Sequence, residues 1–155
     1  MNSVILEKAA AINKRYGEFI EKCDRCEESR QWDVEQYGQM EMYLSNELTC
    51  ILLRISAADG NISDEEVELF NAICGTSYSL EGLKAVYDEM GDTIRSYSVE
   101  GFIKDLAELK EKFTELMVEY AVIVCDSCAL LCACDGVVSD EEQQEAKIIL
   151  TAVGI

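Results

Sequence analysis

Apolar residues recur along this chain at steps of three and four, the spacing that gathers side chains on one face of an α-helix. Ile5, Ala9, Ile12, Tyr16, Phe19, Ile20 and Cys23 form the first such stripe. The polar stretch 24–31 predicts a turn. Val34, Tyr37, Leu44, Leu48, Ile51, Ile55 and Ala58 form a second stripe that stops at Asp59-Gly60. A third helix is predicted from about Ser63 to Cys74, with Val67, Phe70, Ile73 and Cys74 inward and Gly75 as its left-handed cap. Residues 79–90 read as a helix stopped by Gly91, and 98–110 as another through Phe102, Ile103, Leu106 and Leu109. Ser79 and Ser98 each stand where an N-cap is needed. A long apolar helix ends near Cys134, and a last helix starts near Ser139 with Ala146, Ile149, Leu150 and Val153 inward. No segment alternates with a period of two. The expectation is an all-α bundle of about seven helices in one domain.

A repeat organises this pattern. ISAADGNISDEE at 55–66 returns as LCACDGVVSDEE at 131–142, with seven of twelve positions identical. Each copy joins the end of an apolar helix to the start of a short amphipathic one. The chain therefore reads as two pseudo-symmetric helical hairpins. Its parts are an N-terminal helix (1–29), a first hairpin (30–75), connecting helices (76–110) and a second hairpin (111–155).

Most of the motif is folding chemistry. Ser63 with Glu66, and Ser139 with Glu142, are spaced as capping boxes. Asp64, Glu65, Asp140 and Glu141 place negative charge in a first turn, where the helix dipole favours it. Gly60 and Gly136 suit the left-handed turn that ends the preceding helix. Asp59 and Asp135 fit less well, because a carboxylate at a helix carboxyl end opposes the dipole. Two readings remain open. The carboxylate folds back onto nearby amides, or it holds a cation together with Glu66 and Glu142. An EF-hand loop is excluded in both copies, since its first and third ligand positions would be Ile55 and Ala57, or Leu131 and Ala133. Any ion would need ligands from both copies. Oxygen donors of this kind suit calcium, magnesium or manganese.

Charge and composition narrow the partners. Thirty-one acids against thirteen bases leave a net charge of −18. That field repels phosphate backbones and favours cations or a basic protein surface, so nucleic acid is not expected as a partner. Histidine is absent, which removes the usual general base and the Ser-His and Cys-His nucleophile pairs. No enzyme is expected. Proline is absent too, as suits helices joined by short turns.

Eight cysteines include Cys23-x-x-Cys26 and Cys125-x-x-Cys128. Such pairs can form a zinc site or a redox pair. Here both lie in helical patterns, where a free cysteine packs as a small apolar residue. The N-terminus shows no signal-peptide pattern, so a cytoplasmic location and reduced thiols are expected. The most apolar stretch, 116–134, contains Glu119 and Asp126 and reads as a core helix with no membrane insertion.

The duplicated A-x-D-G-x-[IV]-S-D-E-E, each copy ending an apolar helix, resembles the tellurite-resistance TerB-like family, which includes a domain of a DnaJ-type co-chaperone. The resemblance covers most of residues 30–155 and implies an all-helical fold with two pseudo-symmetric halves. It also implies a non-enzymatic stress-response or metal-response protein whose acidic surface binds a divalent metal ion. The family's acidic motif residues fall on Asp59, Glu66, Asp135 and Glu142. The cysteine-rich second hairpin departs from the family pattern. Three functions thus stand side by side: a cation-binding or basic-partner module, a purely structural interaction domain, and a thiol redox or zinc protein.

Overall fold

A computed structural model describes residues 3–96, 111–134, 136 and 139–153. It is all-helical, with no strand among these residues. The elements are α1 (Ser3–Glu28), the single turn α2 (Val34–Tyr37), α3 (Met40–Ser56), α4 (Asp64–Cys74), α5 (Leu80–Ser96), α6 (Thr114–Leu131) and α7 (Asp140–Val153). The helix expected over 98–110 lies outside the described residues, so the total number of helices in the chain is not established.

α1 runs past Cys23 to Glu28, and the turn falls at Ser29-Arg30, where Arg30 takes a positive φ of 57°. The single helix expected through Val34 and Ala58 is two helices. Asp33 caps the short α2 by accepting from the Gln36 amide. Gly38, at φ 72° and ψ −166°, then turns the chain through a region that a side chain disfavours. Trp32 fixes the corner by donating its indole N–H to the Gly38 carbonyl at 2.7 Å.

Gly91 does not stop α5, which continues to Ser96. A glycine inside a helix costs about 1 kcal/mol against alanine, too little to end a helix held by its neighbours; Gly91 is itself buried. The apolar helix before the second turn stops at Leu131, three residues short of Cys134. It begins after a bend at Phe113, whose φ of −130° and ψ of 50° are not helical. Phe113 is buried and its ring lies 6.3 Å from that of Trp32.

α3 and α6 are the apolar heart of the bundle. Leu44, Leu48, Leu52, Leu53 and Ile55 of α3 are almost fully buried, each burial stabilising by about 1.5–3 kcal/mol. α1 packs across α3, α4 and α6. Phe19 of α1 stacks on Tyr120 of α6 at 5.5 Å. The hairpins interlock as well, since α3 meets α7 and α4 meets α6. No described helix is long and apolar enough to cross a membrane.

Candidate functional site

The two repeat copies build the same local geometry. After α3, the Ala58 amide donates to Ile55 O at 3.0 Å and the Gly60 amide to Ala57 O at 3.0 Å. Gly60 then takes φ +85°. After α6, the Ala133 amide donates to Leu130 O at 3.2 Å and the Cys134 amide to Leu131 O at 3.1 Å. Gly136 follows at φ +78°. Both capping boxes are closed. Glu66 Oε2 accepts from the Ser63 amide at 2.7 Å, and Ser63 Oγ accepts from the Glu66 amide at 3.2 Å. Glu142 Oε2 accepts from the Ser139 amide at 2.8 Å, and Ser139 Oγ accepts from the Glu142 amide at 3.1 Å.

Capping draws both glutamates inward, so that Glu66 is 5% exposed and Glu142 7%. Burial pushes the Glu66 carboxyl above its usual range. The Ser63 hydrogen bonds pull it back, and the nearby negative charges of Glu142 and Asp59 push it up further. The Cys132 thiol is pushed up by burial first and then by Glu142 and Glu66. Cys132 also points its Sγ toward the Glu142 carbonyl at 4.0 Å. The charge of Glu142 thus reaches Glu66, and both charges reach Cys132.

Asp59 sits differently. It is exposed, and its Oδ1 accepts from the Asn61 amide at 2.8 Å. That is the fold-back expected if the aspartate serves the turn itself. Asp135 lies outside the described residues. Of the four acids predicted to form a site, Glu142 and Asp59 act electrostatically on Glu66. No set of three His, Cys, Asp or Glu side chains among the described residues is gathered tightly enough to hold a metal ion.

All eight cysteines are free thiols. In each C-x-x-C pair one thiol is buried (Cys23, Cys128) and the other half-exposed (Cys26, Cys125). Burial pushes Cys23 and Cys74 up to about 12 and Cys128 further still. A redox or zinc centre needs an accessible thiolate of lowered pKa, and these shifts run the other way. The four C-x-x-C thiols are not gathered into a zinc-binding set.

Several contacts between elements left no mark in the sequence pattern. Tyr120 donates its hydroxyl to Leu44 O at 3.2 Å, and the two residues stand 76 apart, the period of the repeat. Arg54 Nε lies 2.6 Å from Glu145 Oε2, joining α3 to α7. Asn71 holds the loop after α4 by accepting from the Tyr78 amide and donating to the Tyr78 carbonyl, both at 2.8 Å. An asparagine four residues before a capping glycine was the only available hint.

No family model, curated protein or solved structure matches the chain.

Proposed function

We propose that this chain is a non-enzymatic, TerB-like binding module of a stress or metal response. Its working face is the acidic seam where the two D-G turns meet. The observation that carries the reading is the burial of both Glu66 and Glu142, with the charges of Glu142 and Asp59 acting on Glu66. Two buried carboxylates from equivalent points of the repeat lie within electrostatic reach of each other, with Asp59 beside them. Each uses Oε2 in its cap, which leaves the second oxygen for a cation. A divalent ion, or a lysine or arginine of a basic partner, would offset the burial and the neighbouring negative charges that raise Glu66.

In this reading the hairpins are related by a pseudo-two-fold axis. The Tyr120–Leu44 bond, the Glu66–Glu142 approach and the reciprocal α3–α7 and α4–α6 packing support it. Asp135 would complete the seam from the second turn. A second reading has the motif serving helix capping alone, and the Asp59–Asn61 bond favours it.

Native mass spectrometry before and after chelation, with calcium or manganese titration, separates the two. Binding that disappears in Asp59→Asn with Asp135→Asn, and in Glu66→Gln with Glu142→Gln, supports the cation seam. Unchanged binding, or none in the wild type, removes the metal. A basic partner would then be sought through salt-sensitive binding that the same variants weaken.

A further inference from the structure

The apolar pattern of α6 does not agree with its burial. A helix that is apolar around its circumference belongs inside a core. Yet Val118 is 51% exposed and Val122 40%, and Ala129 is exposed as well. Glu115, Val118, Val122 and Ala129 share one outward stripe by their helical spacing. The stripe is uneven. Its first half carries the bulky valines. Its second half is small, and there Ala129 and Ala133 with Ile12 of α1 floor a hollow of about 410 Å3 edged by Lys8.

The charges of this face are equally uneven. Asp126 is neutralised by Arg15, Oδ2 to Nη2 at 2.5 Å, and Glu119 by Lys22, Oε1 to Nζ at 2.5 Å. Among the described residues, Lys8 at the hollow end has no acidic partner, and Glu115 at the valine end has no basic one. In a chain of net charge −18, a face whose Asp126 and Glu119 are each paired with a base admits a second acidic molecule with little local repulsion.

We propose that two copies of this chain pair through this face, with their α6 helices antiparallel about a two-fold axis. Antiparallel pairing sets the valine end of each stripe against the hollow end of the other. It also sets Glu115 of each copy toward Lys8 of the other. Such an interface is self-complementary in shape and charge, as a two-fold contact must be. A weak, reversible dimer is expected. The face is separate from the acidic seam, and the proposal does not depend on that reading.

Sedimentation equilibrium of the full chain over a wide concentration range, at about 0.15 M salt, gives the test. The wild type is expected to show a monomer–dimer equilibrium. Lys8→Glu and Glu115→Lys should each weaken it by about tenfold, since each swaps two attractive pairs for two repulsive ones. Mixing the two variants should restore dimers, because each then offers the charge that the other needs. Val118→Asp should abolish pairing, and circular dichroism checks that it still folds. The charge-swap mixture stands without it. A wild type that stays monomeric at the highest concentration overturns the proposal, as do single variants that dimerise normally or a mixture without recovery. A face that takes an unrelated helix from another protein would give that monomeric wild type.

Discussion

Replacing Glu66 by glutamine and by alanine separates the two things its carboxylate does. The side chain closes a cap, and it carries a charge into a buried acidic seam. Alanine removes both, leaving the Ser63 amide without its acceptor, and loss of such a cap costs about 0.5–2 kcal/mol. Glutamine keeps an oxygen that can accept from the same amide, as capping boxes with Gln at N3 do. It removes the charge that burial, Glu142 and Asp59 oppose. The expected order of melting temperature at pH 7 without metal is therefore Glu66→Gln at or above wild type, and Glu66→Ala below. For a chain of 155 residues each kcal/mol moves the midpoint by about 2–4 °C. The pH dependence has a defined sign. The folded state raises the Glu66 pKa above its ordinary 4.5, so folding favours the protonated form. That contribution is complete below the ordinary pKa and is lost as pH rises through the raised value. Wild type should gain stability relative to Glu66→Gln as the solution is acidified from pH 7 towards 4.5. Thermal unfolding by circular dichroism at both pH values, in excess chelator, reads this out. A glutamine variant as unstable as the alanine one at both pH values would show that no charge penalty exists at this seam.

Three further outcomes follow from the geometry. Gly60→Ala and Gly136→Ala should each cost about 1–2 kcal/mol in denaturant unfolding, because both glycines sit at positive φ (85° and 78°) with open space around the missing Cβ; a free substitution at either would mean the turn is not left-handed. Tyr120→Phe should cost about 1 kcal/mol through loss of the buried bond to Leu44 O, measured as a shift in urea midpoint at constant slope. At pH 7.4 the Cys23 and Cys128 thiols should resist mild alkylation until the chain unfolds, since both are buried and burial pushes them to about 12 or beyond; mass mapping that found them modified first would contradict their burial.

The sequence carried the helices and their caps because these are local. Ser63, Glu66, Gly75, Ser139 and Glu142 all act where spacing alone placed them. The errors came where a tertiary contact overrode local preference. Trp32 clamping Gly38 split a continuous apolar stripe into α2 and α3. Burial carried α5 through Gly91. The start of α6, which the apolar pattern leaves open, falls at Phe113, whose ring belongs to the Trp32 cluster. The site was legible in part. Repetition identified Glu66 and Glu142 as equivalent, but only the interlocking of the hairpins brings them within reach of each other. The Asp59 carboxylate was flagged as opposing a dipole, and its bond to the Asn61 amide answers that objection without a ligand.

What capping does not explain is why the charge is there twice. Glutamine satisfies the same amide, and a buried carboxylate without an opposite charge is costly. The helix dipole returns only about 0.3–1 kcal/mol for a negative charge in the first turn, and Asp64, Glu65, Asp140 and Glu141 already supply it. A fold that buries two equivalent glutamates, one of them under the charge of the other, in a chain already at −18, holds a local conflict of the kind found at functional sites. A ligand that binds only the folded seam would release it. At a hundredfold excess over its dissociation constant such a ligand stabilises by about 2.7 kcal/mol, which is about 5–11 °C in melting temperature at this length. Calcium, manganese and a polylysine peptide, each titrated into the chelated protein, distinguish an ion from a basic surface by which one produces the shift. The shift should vanish in Glu66→Gln with Glu142→Gln. If none of the three moves the wild-type midpoint, the carboxylate pair is a tolerated cost of a duplicated cap and the seam has no ligand of these classes.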